Sequence, residues 1–238
     1  AEVVDAHTCV VVEPVQSEGG VIIPEPGYLS AVAALCRDRG ALLVLDEVMT
    51  GLGRLGTWWG ADRDGVQPDL LLVGKALSGG LVPVAATLAT ADVFAPFDKD
   101  PYLHTSTFSA NPLAMAAVRA TVEVIRDEGL VDRAAALGDR LVAAMTDSIR
   151  VIEHLVAEVR GAGLLIGMEF RNGLHAAEFL MDLLDNDVVV NHSMNAHPVL
   201  RFTPPATLTA ADEARLLASF DRACAALAKR FPAPDVAG

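Results

Sequence analysis

The stretch 41-ALLVLDEVMTGLGRLG-56 decides how this chain is read, together with 69-DLLLVGKALSGG-80. Each opens with apolar residues of the β-forming kind and then breaks abruptly into charge and glycine. Apolar runs of this length, closed by glycine-rich turns, predict strands buried on both faces of a parallel sheet. One strand would end at Asp46-Glu47 and the next at Gly74-Lys75. A carboxylate and an amine would then share the carboxyl-end rim, where open α/β sheets bind ligands. A lysine on such a rim can be desolvated enough to act as an amine nucleophile.

Outward from these runs the pattern stays α/β. A strand over 8–15 ends at Glu13-Pro14, and a loop dense in Gly, Pro and Glu follows. Apolar residues recur at helical spacing from Tyr28 to Arg39, with Gly40 at the expected C-cap. A further strand is predicted over 81–90. Asn111 and Pro112 read as the N-cap and first turn of a long Ala-rich helix, and a second helix runs over about 130–149. Beyond it the spacing predicts two strands in 151–172, a helix over 174–187, and short strands at 188–193 and 199–204. Thr209 would cap a last helix with Glu213 as reciprocal partner, and 231–238 reads as loop. This divides the chain into part of a large α/β domain (1–115), connecting helices (116–150) and a small C-terminal α+β domain (151–238).

Composition narrows the function. The chain has 238 residues, 52% of them hydrophobic, which can fill a substantial core. A formal charge of −13 argues against a nucleic-acid or anionic-membrane surface. Cys9, Cys36 and Cys224 lack metal-ligand spacing and read as buried free thiols of a reducing compartment. No apolar run reaches membrane-spanning length and no signal segment opens the chain, so a cytoplasmic location is expected. No metal is expected. A dinucleotide-binding reading lacks G-x-G-x-x-G after a first strand.

The ordered segments EPVQSEGG, LLVLDEVMTGLGRLG, PDLLLVGKALSGG, HTSTFSANPLAMAA and VLRFTPP resemble the class III aminotransferases, pyridoxal-phosphate enzymes of fold type I. The resemblance runs from about Cys9 to the last helix. It implies an α/β, mostly parallel large-domain sheet plus a small C-terminal α+β domain, with pyridoxal 5'-phosphate as cofactor. Lys75 would form the Schiff base and shuttle the proton. Asp46 would keep the pyridine nitrogen protonated, so that the ring is an electron sink. The plain alternatives are a solvated strand-end lysine and an aspartate that caps its own turn.

By the same resemblance Val48 packs on the ring face and Glu13 lies near the cofactor's phenolic edge. Ser106 and Thr107 match the hydroxyls that reach a partner subunit's cofactor phosphate. Glu18 matches a gate residue that pairs with Arg201 until a substrate carboxylate takes its place, a role the arginine fork suits. Arg54 reads as structural. The resemblance thus implies a small-molecule amino donor, a carbonyl acceptor and a homodimer with its site at the interface.

Two departures open alternatives. Met49 stands where many members carry a Gln that donates a hydrogen bond, and a thioether cannot donate. With NPLAMAA, this is similar to the glutamate-1-semialdehyde aminomutase branch. Members are also longer, and the cofactor's Gly/Ser-rich phosphate loop and second stacking ring would precede Ala1. A fragment, one piece of an enzyme completed by an N-terminal chain, or a partner subunit that binds no cofactor are the remaining expectations.

Overall fold

The computed structural model describes residues 3–234, so the loop expected over 231–238 lies partly outside the described residues, at 235–238. The chain divides into two compact units. One comprises the chain up to Val15 with Pro24–Val131, and the other Gln16–Ile23 with the chain from Asp132 onward. The expected connecting stretch 116–150 is therefore shared between them, because its two helices pack on different cores.

In the first unit β1 (Cys9–Val12), β2 (Leu42–Asp46) and β3 (Leu70–Val73) run parallel, and β4 (Ala86–Ala89) closes the sheet antiparallel to β3. Helix α1 (Tyr28–Arg39) covers one face. Leu29 and Cys36 meet Leu43 and Leu45 of β2, with Val10, Val12 and Leu71 alongside. Gly40 ends α1 with φ 69, a left-handed cap that a Cβ would strain.

Burial on both faces holds only for the middle of β2. Leu43, Val44 and Leu45 are buried, whereas β1 alternates and all four residues of β4 are exposed. The pleat accounts for β1, whose alternate residues Val10 and Val12 face α1, whereas β4 lies at the sheet edge with neither face covered among the described residues. Cys9 is exposed for that reason, a correction to the expectation of three buried thiols, while Cys36 and Cys224 are buried. Burial pushes the Cys224 thiol up to about 12, which makes it an inert core residue. Two further helices complete the unit: α2 (Ala91–Lys99), which the periodicity did not anticipate, and α3 (Pro112–Asp127). Asn111 caps α3, its Oδ1 accepting from the Leu113 and Ala114 N–H groups at 3.0 and 3.4 Å.

The second unit carries an antiparallel sheet of order β5-β6-β8-β7: β5 (Val156–Ala162), β6 (Leu165–Phe170), β7 (Asn191–Ser193) and β8 (Ala196–Phe202). Helices α4 (Leu130–Ser148), α5 (Gly173–Asp185) and α6 (Ala210–Arg230) pack on it. On α4 the buried positions Leu130, Ala134, Leu137, Leu141 and Met145 recur at helical spacing. All but Leu130 join a core in which the Phe179 and Phe220 rings meet edge-on at 5.3 Å. Gly138 lets α4 approach the β5–β6 turn, because a Cβ there would collide with the Gly163 carbonyl. Thr209 caps α6 as expected, accepting from Asp212 N–H at 3.1 Å. Its partner is Asp212 rather than Glu213, which instead forms a two-pronged pair with Arg140, both bonds 2.9 Å. The side chain three residues after the cap reaches back; the one four residues on points away.

Candidate active site

Three parallel neighbours bring three charged residues to one rim. Glu13 follows the last residue of β1, Asp46 is the last residue of β2, and Lys75 lies two residues beyond β3. Register pairs Asp46 with Leu72, so its side chain shares a face of the sheet with Leu72. Asp46 Oδ1 accepts the Val48 N–H at 3.0 Å. This short turn fixes the half-buried carboxylate and leaves Oδ2 without a partner among the described residues. Val48 lies against Gly74: a Cβ at Gly74 would sit 3.5 Å from Val48 Cγ1. The branched side chain thus forms an apolar wall next to the residue that precedes Lys75.

Lys75 takes φ 43 and opens a tight turn, Lys75–Ser78. Leu77 and Ser78 occupy the buried positions of that turn, and Lys75 is exposed. The expected burial of its amine is therefore not supplied by the described residues.

The neighbouring acid has a different role. Glu47, 2% exposed, accepts from Thr50 Oγ1 and from the Gly60 and Ala61 N–H groups, both at 2.8 Å. It ties the turn after β2 to the 60–64 turn. Burial pushes its pKa up, and the hydrogen bonds only partly offset that. The sequence assigns Asp46 and leaves Glu47 without a role; its burial comes from the 60–64 turn folding back on it. Burial likewise lowers the Arg54 pKa, in keeping with a structural guanidinium.

Ser106 and Thr107 are exposed, in a turn closed by Ser109 N–H to Ser106 O at 3.0 Å. Neither hydroxyl bonds another described residue, and no described contact joins them to Lys75. They stay five or more residues ahead of α3, whose helix packs on the Lys75–Ser78 turn.

Glu18 and Arg201 belong to the second unit and meet there. Arg201 Nη1 lies 2.5 Å from Glu18 Oε1 and donates to Ser17 Oγ at 2.9 Å. Glu18 Oε2 accepts the Met194 N–H at 3.0 Å, from the turn between β7 and β8. The Arg201 side chain is 11% exposed and that of Glu18 32%, so the pair is only partly open to solvent. Ser17, 1% exposed, escaped sequence reasoning; its place in QSEGG beside the expected gate acid was the only signal. Among the described residues there is no cluster that could hold a metal ion, and no helix is long and apolar enough to cross a membrane.

Comparison with known proteins agrees with this layout. The class III aminotransferase family profile matches residues 2–224. Ornithine aminotransferase of Toxoplasma gondii, a structure with partial occupancy of PLP at its active site, superposes with TM-score 0.87 at 36% identity. It covers 92% of this chain and 51% of its own. Ornithine aminotransferase of Plasmodium yoelii gives TM-score 0.83 at 33% identity, with 91% and 56% covered. A thermostable omega transaminase engineered for asymmetric synthesis of bulky amines gives 0.86 at 28%, with 94% and 52% covered. The chain spans about half the length of the solved relatives it matches. With the family profile over nearly all its residues and a fold type I arrangement of strand-end acid and amine, the chain belongs to the class III aminotransferases, a family of pyridoxal-phosphate-dependent enzymes.

Proposed function

We propose that this chain carries the amino-transfer machinery of a class III transaminase, moving an amino group between an amino acid or amine and a 2-oxo acid or aldehyde. The observation that carries it is the placement of Asp46 and Lys75 at the carboxyl ends of adjacent parallel strands. The residues present suit pyridoxal phosphate: an acid with one unused oxygen, an amine two residues past the next strand, and the Val48 wall between them. When bound, the cofactor supplies an electron sink that stabilises negative charge on the substrate carbon.

Lys75 would hold the cofactor by its amine, with water lost from the cofactor's aldehyde, and, once displaced by the donor amine, would carry a proton between that carbon and the substrate carbon. Asp46 would keep the proton on the pyridine nitrogen, Val48 would pack on the ring, and Glu13 would lie by its phenolic edge. Ser106 and Thr107 are free to bond a phosphate held by a second subunit of a homodimer or by a complementary N-terminal chain. Arg201 takes the substrate carboxylate after Glu18 releases it. Met49, half-buried with no donor, favours an intramolecular aminomutase as the second reading.

Borohydride reduction of the protein incubated with pyridoxal phosphate tests this. A single adduct is expected on Lys75, absent in Lys75→Ala. An adduct on Lys99 or Lys229 alone, or none, would defeat the proposal. Turnover that needs an added carbonyl acceptor supports the transaminase; turnover without one supports the mutase.

A further inference from the structure

We propose that Arg160 is a positioning residue that pins the 16–23 loop so that Glu18 rests on Arg201, and thereby sets how strongly an incoming carboxylate must compete. This rests on the reading of Arg201 as the carboxylate site. Arg160, on β5 and 11% exposed, spends its whole guanidinium on this loop and on its own sheet. Nε donates to Val21 O at 2.9 Å and Nη2 to Gly20 O at 2.6 Å. Nη1 reaches Glu158 Oε2 at 2.8 Å and Glu169 Oε2 at 2.7 Å. Two acids thus hold the fork, and the fork holds two loop carbonyls.

The segment so held is strained. Val21, fully buried, takes φ 54, which a β-branched residue adopts only when its surroundings over-determine it. Those surroundings are specific. Gly167 of β6 leaves space for Val21, since a Cβ there would come within 2.9 Å of Val21 Cβ. Gly20, at φ 109, sits against Ala196 of β8. Released from Arg160, the loop has a reason to relax. Ser17 and Glu18, on its other limb, would then lose their fixed approach to Arg201. A tethered competitor acts at an effective concentration set by its tether, so loosening the tether weakens the competitor.

The sign separates positioning from charge. Removing a cation near the site by itself weakens anion binding, whereas loosening the Glu18 tether strengthens it. Propionate is the probe, titrated into the folded chain and followed by isothermal calorimetry, which reads every variant alike. Glu18→Gln should bind propionate about tenfold more tightly than the parent, since a charge-assisted competitor is gone. Arg160→Gln should bind it about threefold or more tightly, and Arg160/Glu18 double replacement no more tightly than Glu18→Gln alone. Arg160→Lys keeps the charge between Glu158 and Glu169 without the fork, so it should shift in the same direction and stands in if the Gln variant fails to fold.

Unchanged or weaker propionate binding in both Arg160 variants, or a gain that adds to that of Glu18→Gln, would overturn the proposal while Arg201→Gln still abolishes binding. Propionate binding that survives in Arg201→Gln would instead overturn the carboxylate site on which it rests.

Discussion

The strand-end rim of the first unit and the Arg201 corner of the second hold comparable chemistry in opposite states of completion. At the rim Lys75 is exposed and Asp46 keeps an unused oxygen; at the corner Arg201 is 11% exposed and already bonded to Glu18 and Ser17. A charge whose partners are in place is costly to disturb, while a charge left open can take a ligand without first breaking anything. The rim thus has bonding capacity to spare, whereas a ligand at the corner would first have to displace Glu18 from Arg201.

The largest expected effect breaks the rim. Asp46→Ala should retain some pyridoxal phosphate, read by absorbance, while turnover falls by about 100-fold or more, the scale of a lost electrostatic stabiliser. Full activity in that variant would refute the role. Next comes the corner. Arg201→Ala should raise the Michaelis constant for carboxylate substrates by about 10- to 100-fold, the worth of a charge-assisted bond, and leave simple amines little changed. Equal losses for both would place the carboxylate elsewhere.

A third test uses pH to distinguish Glu47 from Asp46. Burial raises the Glu47 pKa above its ordinary 4.5, so the folded chain keeps that proton to higher pH than the unfolded chain does. Its contribution to stability is therefore full below 4.5 and is lost as pH rises through the raised folded value. Urea unfolding of Glu47→Gln should lack that decline. It should also be less stable than the parent by about 1–3 kcal/mol, because Gly60 and Ala61 lose carboxylate acceptors. Parallel pH curves for the two proteins would show that Glu47 does not titrate differently on folding.

The smallest effects compare the helix caps of the two units. Asn111→Ala and Thr209→Ala should each cost about 1 kcal/mol in denaturant unfolding. Loss of Asn111 should also loosen the turn that carries Ser106 and Thr107, seen as faster amide exchange there; unchanged exchange would detach the cap from that turn.

Much of the frame was legible because it depends on near neighbours. The apolar runs gave the parallel strands and their rim, and Gly40, Asn111 and Thr209 each marked a helix end by a bond made within a few residues. What stayed hidden needed the other face or a distant partner. The exposure of Cys9 depends on which side α1 covers, and that of β4 on its place at the sheet edge. The burial of Glu47 depends on the 60–64 turn folding back, and Asp212 over Glu213 as the α6 cap partner on Arg140 of α4. The grip of Arg160 on Gly20 and Val21 joins positions about 140 apart.

By itself the sequence determined the family and the order of the strands and of every long helix except α2, since periodicity and motif spacing are written along the chain. Only the tertiary structure decided which acid is buried, which serine supports Arg201, and that one arginine fastens a strained loop. Burial and ion pairing are properties of neighbours in space, and the backbone brings those neighbours together only once it has folded.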